Sequence, residues 1–577
     1  MIIATMSLFR NKKIVIAVAA LIVLLAAAIR LYKLGSIPVA LYIDEVAMLA
    51  DVKSVLATGH DIHGNNWNQL IYPSYGDYKL PVYIWLATAV SSIIGASDFS
   101  LRLGSALAGI GTVIVAGLIA KELVVYLSNE NKDKFLSSVL PLATMFVMAI
   151  SPWSLMFSRT GFEGHLAQFF VWLSIYLVLL SKKRWWLFVL GISFGVLAVY
   201  TYYSVRFVWP VVFVMMLFLQ FWYDPIKHKL GNLLSFIAKI VLGLLLLFIF
   251  LIPLKKSPYF VASEQLRMSA DSIISFERYN DTVIRSNDLI KKSGATFADR
   301  LIYHRYFLWL KELSLNYSNN LSYDFLFFSG DSNLRHGTGA HGVFLLAVLP
   351  FLLIGLISLL KEKPILATAL FIMILAALLP ASVPMTTPHA LRSINALVPF
   401  SIFIGYGISL SVIFVVTRYE KHRFSSSMIA SLILLTVVFS SLEFFVYYFN
   451  IYPEKSAGDW FFCEKKLTEI IELRDNNSPL LFIDSPRNFF LWYLAYTNDT
   501  INSADISYRK SYFSASKVGS VFFDAEIKDI NSFSYSQAVV SPGRLSPIEI
   551  EGYKLTNETK STPIFPNCDF SLVTLSR

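Results

Sequence analysis

The chain has 577 residues, 55% of them hydrophobic, 15% aromatic and only 15% charged, with a mean hydropathy of +0.58. That composition excludes a soluble globular protein and fits a polytopic membrane protein. The net charge of +10 is scattered in short clusters between hydrophobic runs, which is a topology signal and argues against nucleic acid as a partner.

The first run, Ile14 to Ile29, is apolar enough to cross a bilayer, and Asn11, Lys12 and Lys13 precede it. The positive-inside rule therefore puts the N-terminus in the cytoplasm. The run is long for the apolar part of a signal peptide and lacks a small-x-small cleavage site, so it reads as a retained helix. Further runs lie near 101–120, 135–152, 166–181, 185–203, 207–222, 231–254, 341–360, 364–380, 395–417 and 427–447. Basic linkers separate several of them: Lys121 to Lys134, Lys182 to Arg184, Lys227 to Lys229, Lys361 to Lys363, and Arg418 to Arg423. If each run spans once, every basic linker falls on the cytoplasmic side. Pro81 to Gly95 is hydrophobic but only about fifteen residues long, which suits an interfacial or re-entrant helix. Counting it as a span would put the basic clusters outside.

The expected fold is an α-helical polytopic membrane protein with about eleven spanning helices and an interfacial helix in the first outer loop. A small extracytoplasmic α/β domain follows at the C-terminus. The expected division is a membrane domain over 1–449 and a soluble domain over 450–577. Three substantial regions lie outside: Tyr32 to Ser100, Leu254 to Ala340, and the tail from Asn450. Short outer turns occupy Ser151 to His165 and Ala381 to Ala396. In the tail, Leu467 to Leu473 reads as an amphipathic helix, and Leu480 to Ile483, Val521 to Phe523 and Ala538 to Val540 read as short buried strands. The chain's two cysteines, Cys463 and Cys568, both fall in this domain. An extracytoplasmic setting favours a disulfide between them over two buried thiols.

Asp44 and Glu45 emerge just beyond the first run, close to the membrane surface. Carboxylates at that depth are costly unless they serve a function. One placed there can reach a lipid headgroup and act as a general base; the plain alternative is a solvated loop acid. The same face collects more polar residues. The first loop adds Asp61, His63, Asp77 and Lys79, and Arg102 sits at the outer end of the second run. The turn after the third run carries Arg159, Glu163 and His165. Asp331, Arg335 and His336 precede the eighth run, and His389 and Arg392 follow the ninth. Arginine and lysine there can hold a phosphate by charge-assisted hydrogen bonds. Taken singly, each is as well explained as an interfacial anchor or a structural ion pair. No tight His/Cys/Asp cluster has metal-ligand spacing, so no cofactor is required; a divalent metal is possible but not indicated.

Several segments carry a family resemblance. They are Tyr42-Ile43-Asp44-Glu45-Val46-Ala47, then Thr-Gly-His-Asp-Ile-His-Gly from Thr58, and Tyr-Lys-Leu-Pro-Val-Tyr-Ile-Trp-Leu from Tyr78. Ser-Leu-Arg-Leu-Gly-Ser-Ala-Leu-Ala-Gly from Ser100 and Ser-Pro-Trp-Ser-Leu-Met-Phe-Ser-Arg from Ser151 follow. In order and sidedness the chain resembles GT-C glycosyltransferases, in the family of protein O-mannosyltransferases and the lipid A aminoarabinose transferase. The likeness covers roughly residues 10–200, continues through Gly-Asp-x-x-Leu-Arg-His and Pro-His-x-x-Arg, and leaves the tail uncovered.

The resemblance implies an inverting hexosyl- or pentosyltransferase. It would move a sugar from a polyprenyl-phosphate carrier to a protein, lipid or glycan acceptor outside the cytoplasm. Asp44 would be the general base and Glu45 would orient the loop or assist. Lys79 would neutralise the lipid phosphate as it leaves. Arg102 and Arg159 match recurring family arginines, with phosphate binding or loop anchoring as roles. Glu163 stands where related enzymes often have aspartate, which puts its role in doubt. The Trp-Trp-Asp-Tyr-Gly-type motif of metal-dependent oligosaccharyltransferases is missing.

Other classes remain open. A polyprenyl-linked glycan flippase or polymerase would share the topology, and a non-catalytic scaffold would use the tail as its binding module. A secondary transporter would place its charges near the bilayer midplane, often in repeated halves, and the sequence shows no repeat. The short cytoplasmic linkers point to a prokaryotic plasma membrane.

Overall fold

The computed structural model describes residues 11–576 except 75, 128–132, 225–229, 270–271, 274, 420–422, 472–478, 484–487, 498–503, 510–511, 526–534, 541–553 and 561–570. The chain divides into two compact units: Met1–Leu34 with Arg102–Tyr452, and Gly35–Leu101 with Pro453–Arg577. This division follows contacts, so the first polar loop groups with the tail.

In chain order the helices begin with α1 Lys12–Leu31, α2 Ile43–Thr58, α3 Pro81–Ile94, α4 Asp98–Leu127, α5 Asp133–Ile150 and α6 Pro152–Ser158. Next come α7 Glu163–Leu180, α8 Trp186–Val199, α9 Val205–Trp222, α10 Leu230–Lys255, α11 Phe260–Ser269, α12 Phe276–Ser293, α13 Phe297–Ile302 and α14 Arg305–Asn320. The set ends with α15 Leu349–Glu362, α16 Pro364–Ser382, α17 Leu397–Tyr419, α18 Arg423–Val446, α19 Phe462–Ile471 and α20 Phe490–Tyr496.

Eight helices among the described residues are long and apolar enough to cross a membrane: α1, α4, α7, α9, α10, α16, α17 and α18. The protein is thus a polytopic α-helical membrane protein. A ninth span forms if α5 and α6 count as one, bent by 58°. Pro152 at the first position of α6 makes that break natural, since it has no N–H to continue the helix. The two other hydrophobic runs are α8 and α15, of 14 residues each. At ~1.5 Å per residue a helix that long reaches about 21 Å, short of the ~30 Å hydrocarbon layer. Pro364 ends α15 by holding Lys363 at φ −141°, ψ 66°, outside the helical region.

In the first unit the ends of α1 and α5 are capped by arginines. Arg30, fully buried, donates to Met148 O at 3.1 Å and Ala149 O at 3.2 Å, at the end of α5. Arg159 donates to Ile29 O, Arg30 O and Lys33 O at 2.9–3.1 Å, at the end of α1. The last carbonyls of a helix have no partner within it, and a guanidinium with five donors suits them. Helices α15 and α17 approach so closely that only glycine fits. A Cβ on Gly355 would stand 1.9 Å from Phe403 O, and one on Gly407 would stand 1.9 Å from Phe351 O. Small residues are what let helix backbones meet this way in a membrane.

The second unit holds α2, α3, α19, α20, a two-stranded hairpin and a seven-stranded sheet. The hairpin is β1 Tyr72–Ser74 and β2 Asp77–Lys79. The sheet strands are β3 Leu480–Ile483, β4 Ala504–Arg509, β5 Tyr512–Val518, β6 Val521–Ala525, β7 Tyr535–Val540, β8 Lys554–Lys560 and β9 Ser571–Ser576. Their order is β4-β5-β6-β3-β7-β9-β8. β3 lies at the centre, parallel to β6 and to β7, and the remaining pairs are antiparallel. Its four residues are all buried, as a strand covered on both faces requires. The three strands expected in the tail form, and the expected helix is present over Phe462–Ile471, with 472 and 473 outside the described residues. Within this unit Lys53 of α2 donates to Ala495 O and Thr497 O at the end of α20. Asp98 accepts from Lys465 at 2.8 Å and from Tyr496 Oη at 2.9 Å. Cys463 is disulfide-bonded; Cys568 lies outside the described residues.

The α15–α17 contact predicts that Gly407→Val overpacks the helix pair and lowers stability by about 1–3 kcal/mol. Gly458→Ala, where a Cβ meets nothing within 4 Å, serves as the control and should shift stability by less than ~0.5 kcal/mol. Thermal unfolding in detergent reads both.

Candidate active site

The site in the second unit starts from the cap of α2. Tyr42 is the N-cap, and its N–H donates to Glu45 Oε2 at 3.2 Å. Asp44 and Glu45 occupy the first turn, where the helix dipole favours negative charge. Glu45 is fully buried, whereas the Asp44 side chain is about a third exposed. The hairpin register pairs Tyr72 with Lys79 and Ser74 with Asp77. Residues two apart on a strand share a face, so Asp77 and Lys79 project together. Lys79 Nζ reaches Asp77 Oδ2 at 3.1 Å and Asp44 Oδ2 at 3.3 Å. Lys79 is 6% exposed, so its charge is held by two carboxylates and not by water. The result is a partly open carboxylate fixed against a buried cation.

Behind Asp44 on the same helix lies a second polar group. Asp51 is seven residues further on, which returns to the same helix face. Asp51, Asp61 and His63 bring ligand atoms within 4.8 Å of one another, so they could hold a metal ion. Asp61 is tightly held: it accepts from the His63 and Asn65 N–H groups, from Asn65 Nδ2 and from Gln69 Nε2. Burial, with the Asp61 charge alongside, pushes the Asp51 carboxyl well above the usual carboxylate range, against one hydrogen bond from Ile62 N–H.

The remaining expected site residues belong to the first unit. Arg102 is fully buried, and Leu34 O lies 3.5 Å from its Nη1. Arg159 caps α1 as described, with its guanidinium 5.0 Å from the Phe449 ring centre and 5.7 Å from that of Tyr448. Glu163 opens α7 and is buried. His165 is fully buried beside Gly109. Arg335 Nε donates to Asn333 Oδ1 at 2.9 Å. The structure brings His336 and His389 together, with ring centres 4.7 Å apart and Asp331 beside them. The Arg392 N–H points at His389 Nδ1 from 3.4 Å. Both three-residue groups draw their ligands from separate segments, so no spacing in the sequence announces them. Sequence reasoning singled out Asp61, His63, Asp331, His336 and His389 but missed Asp51, whose one signal is its seven-residue offset from Asp44.

No protein-family model matches the sequence, and no curated protein matches it. Among solved structures, the chain is similar to ArnT from Cupriavidus metallidurans in the apo state, at 10% identity over 96% of this chain and 97% of that one, TM-score 0.49. It is similar to the same protein bound to undecaprenyl phosphate, at 11% identity over 96% and 97%, TM-score 0.48. It is also similar to the archaeal oligosaccharyltransferase AglB from Archaeoglobus fulgidus, in complex with an inhibitory peptide and a dolichol-phosphate. There the identity is 14% over 83% of this chain and 63% of that one, TM-score 0.46; the chain thus spans less than two thirds of AglB. These similarities concern the course of the chain and assign no residue a role.

His63 generates a pH prediction. Its side chain is 4% exposed, and burial lowers its pKa from 6.5 to about 4, against the pull of Asp61. The folded chain therefore prefers neutral His63. That contribution is complete above about pH 6.5 and is lost as pH falls toward about 4. Between about pH 7.5 and about pH 5, wild type should lose on the order of 1–2 kcal/mol more stability than His63→Gln, which takes up no proton. Thermal unfolding at the two pH values decides it; equal losses in both proteins would remove His63 as the cause.

Proposed function

We propose that this chain is an inverting glycosyltransferase of the GT-C type. It takes a sugar from a polyprenyl-phosphate carrier and passes it to a hydroxyl-bearing acceptor on the extracytoplasmic face, with the N-terminus in the cytoplasm. The observation that carries this reading is the 3.3 Å contact between Asp44 and Lys79, residues that stand in two of the segments that carry the family resemblance.

The chemistry follows from charge. The acceptor oxygen attacks the anomeric carbon from the side opposite the phosphate. Its C–O bond forms as the bond to the phosphate oxygen breaks, and the electron pair leaves with the polyprenyl phosphate. Asp44, the more exposed carboxylate, takes the acceptor proton. Lys79 lies beside the developing negative charge and can exchange a carboxylate for a phosphate oxygen. A preorganised cation aimed at a charge that grows in the transition state is an effective catalytic device. The sugar passes through oxocarbenium character, as in other glycosyl transfers. Phosphate leaves without protonation, so a single base suffices. Glu45 holds the helix start through its bond to Tyr42 N–H and so fixes the direction of Asp44.

The experiment is transfer from a radiolabelled polyprenyl-phosphate sugar by purified full-length protein. Asp44→Asn should lower turnover by about 10²–10⁴-fold while donor binding persists, and Lys79→Met should weaken both. If wild type and Asp44→Asn bind several such donors and consume none, a flippase or scaffold replaces the transferase.

A further inference from the structure

The group Asp331, His336 and His389 has a chemistry that the proposed transfer does not use. It lies entirely within the first unit and draws on two loops, 330–337 and 388–392. Asp331 is 3% exposed, and its only ion-pair partner among the described residues is His336. Its Oδ1 accepts from Asn333 N–H at 2.9 Å and its Oδ2 from Ala390 N–H at 2.8 Å. His336 Nδ1 stands 3.4 Å from Asp331 Oδ2. The His389 ring lies 4.7 Å from that of His336, and one ligand atom from each of the three residues falls within 4.8 Å of the others.

These dimensions suit a small cation. Two ligands about 2.1 Å from a tetrahedral centre are about 3.4 Å apart. A ring nitrogen from each of His336 and His389 and a carboxylate oxygen from Asp331 are the donor atoms available there. A small cleft lined by Trp153, Asp331, His336, Thr338 and His341 adjoins the group. Hydrogen bonds to backbone carbonyls fix its walls: Trp153 N–H donates to Val343 O at 3.1 Å and the Trp153 indole Nε1 to Ala390 O at 2.8 Å.

We propose that Asp331, His336 and His389 bind a first-row divalent cation of the zinc type, with an open coordination position toward this cleft. Two imidazoles and one carboxylate are a ligand set for such ions. The open position takes an oxygen donor, whether water, phosphate or carboxylate. The site stands independently of the transferase reading, because metal content is measured without activity.

The test uses full-length protein in detergent, loaded with Zn²⁺ or Co²⁺ and freed of excess metal. Wild type should retain about one equivalent at this site, with the visible absorption of tetrahedral cobalt. Asp331→Asn, His336→Ala and His389→Gln should each weaken retention by about 10–100-fold or more, while His63→Gln leaves this site filled. On wild type alone, bound Zn²⁺ should protect His336 and His389 from diethylpyrocarbonate, read by peptide mass spectrometry. That measurement decides the matter if a variant does not fold. Wild type that holds no metal overturns the proposal. So does metal retained in His336→Ala but lost in His63→Gln, or modification of both histidines regardless of zinc.

Discussion

A charge removed from water must be met by opposite charge or by oriented dipoles, and both units of this protein are organised by that requirement. Lys79 is buried and lies between Asp44 and Asp77. Arg30 and Arg159 are buried and are met by the carbonyl dipoles at the ends of α5 and α1. These are two solutions to one problem. A lysine is a point charge that carboxylates neutralise, whereas a guanidinium spreads its donors and can collect several carbonyls at once. The arginine solution fixes helix ends, and the lysine solution leaves a carboxylate partly open to solvent.

The difference matters for chemistry. Arg159 gives hydrogen bonds to three carbonyls and faces two aromatic rings, which anchors it to the end of α1. Lys79 instead lies against two side-chain carboxylates, Asp44 and Asp77, at 3.3 and 3.1 Å. Asp44 gains from its place in the first turn of α2 and from the Glu45 bond to Tyr42 N–H. A carboxylate set at a capped helix start is positioned without being enclosed, as the base role proposed for Asp44 requires.

The hydrophobic pattern marked all eleven helical runs, because apolar length is a local property of the chain. Among the described residues, eight or nine of them are single helices of spanning length. The break between α5 and α6 comes at Pro152, inside an apolar stretch, while α15 is short because it begins only at Leu349, with Pro350 in its first turn. In the tail, Leu480 to Ile483 reads as a strand from its apolar run, but its central place between β6 and β7 depends on parallel pairings that no local pattern encodes.

The sequence by itself determined the membrane class, the helical runs, the mixed α/β tail, and Asp44 and Lys79 as charged residues of the polar loop beside the first run. These follow from composition and short-range pattern. Only the tertiary structure decided that Lys79 contacts both Asp44 and Asp77. It also decided that Asp51 meets Asp61 and His63, that Asp331 meets His336 and His389, and that Gly35–Leu101 groups with the tail. Each of these depends on where distant segments return in space. A side chain's partner is set by that return, through helix packing and hairpin register, and not by its neighbours along the chain.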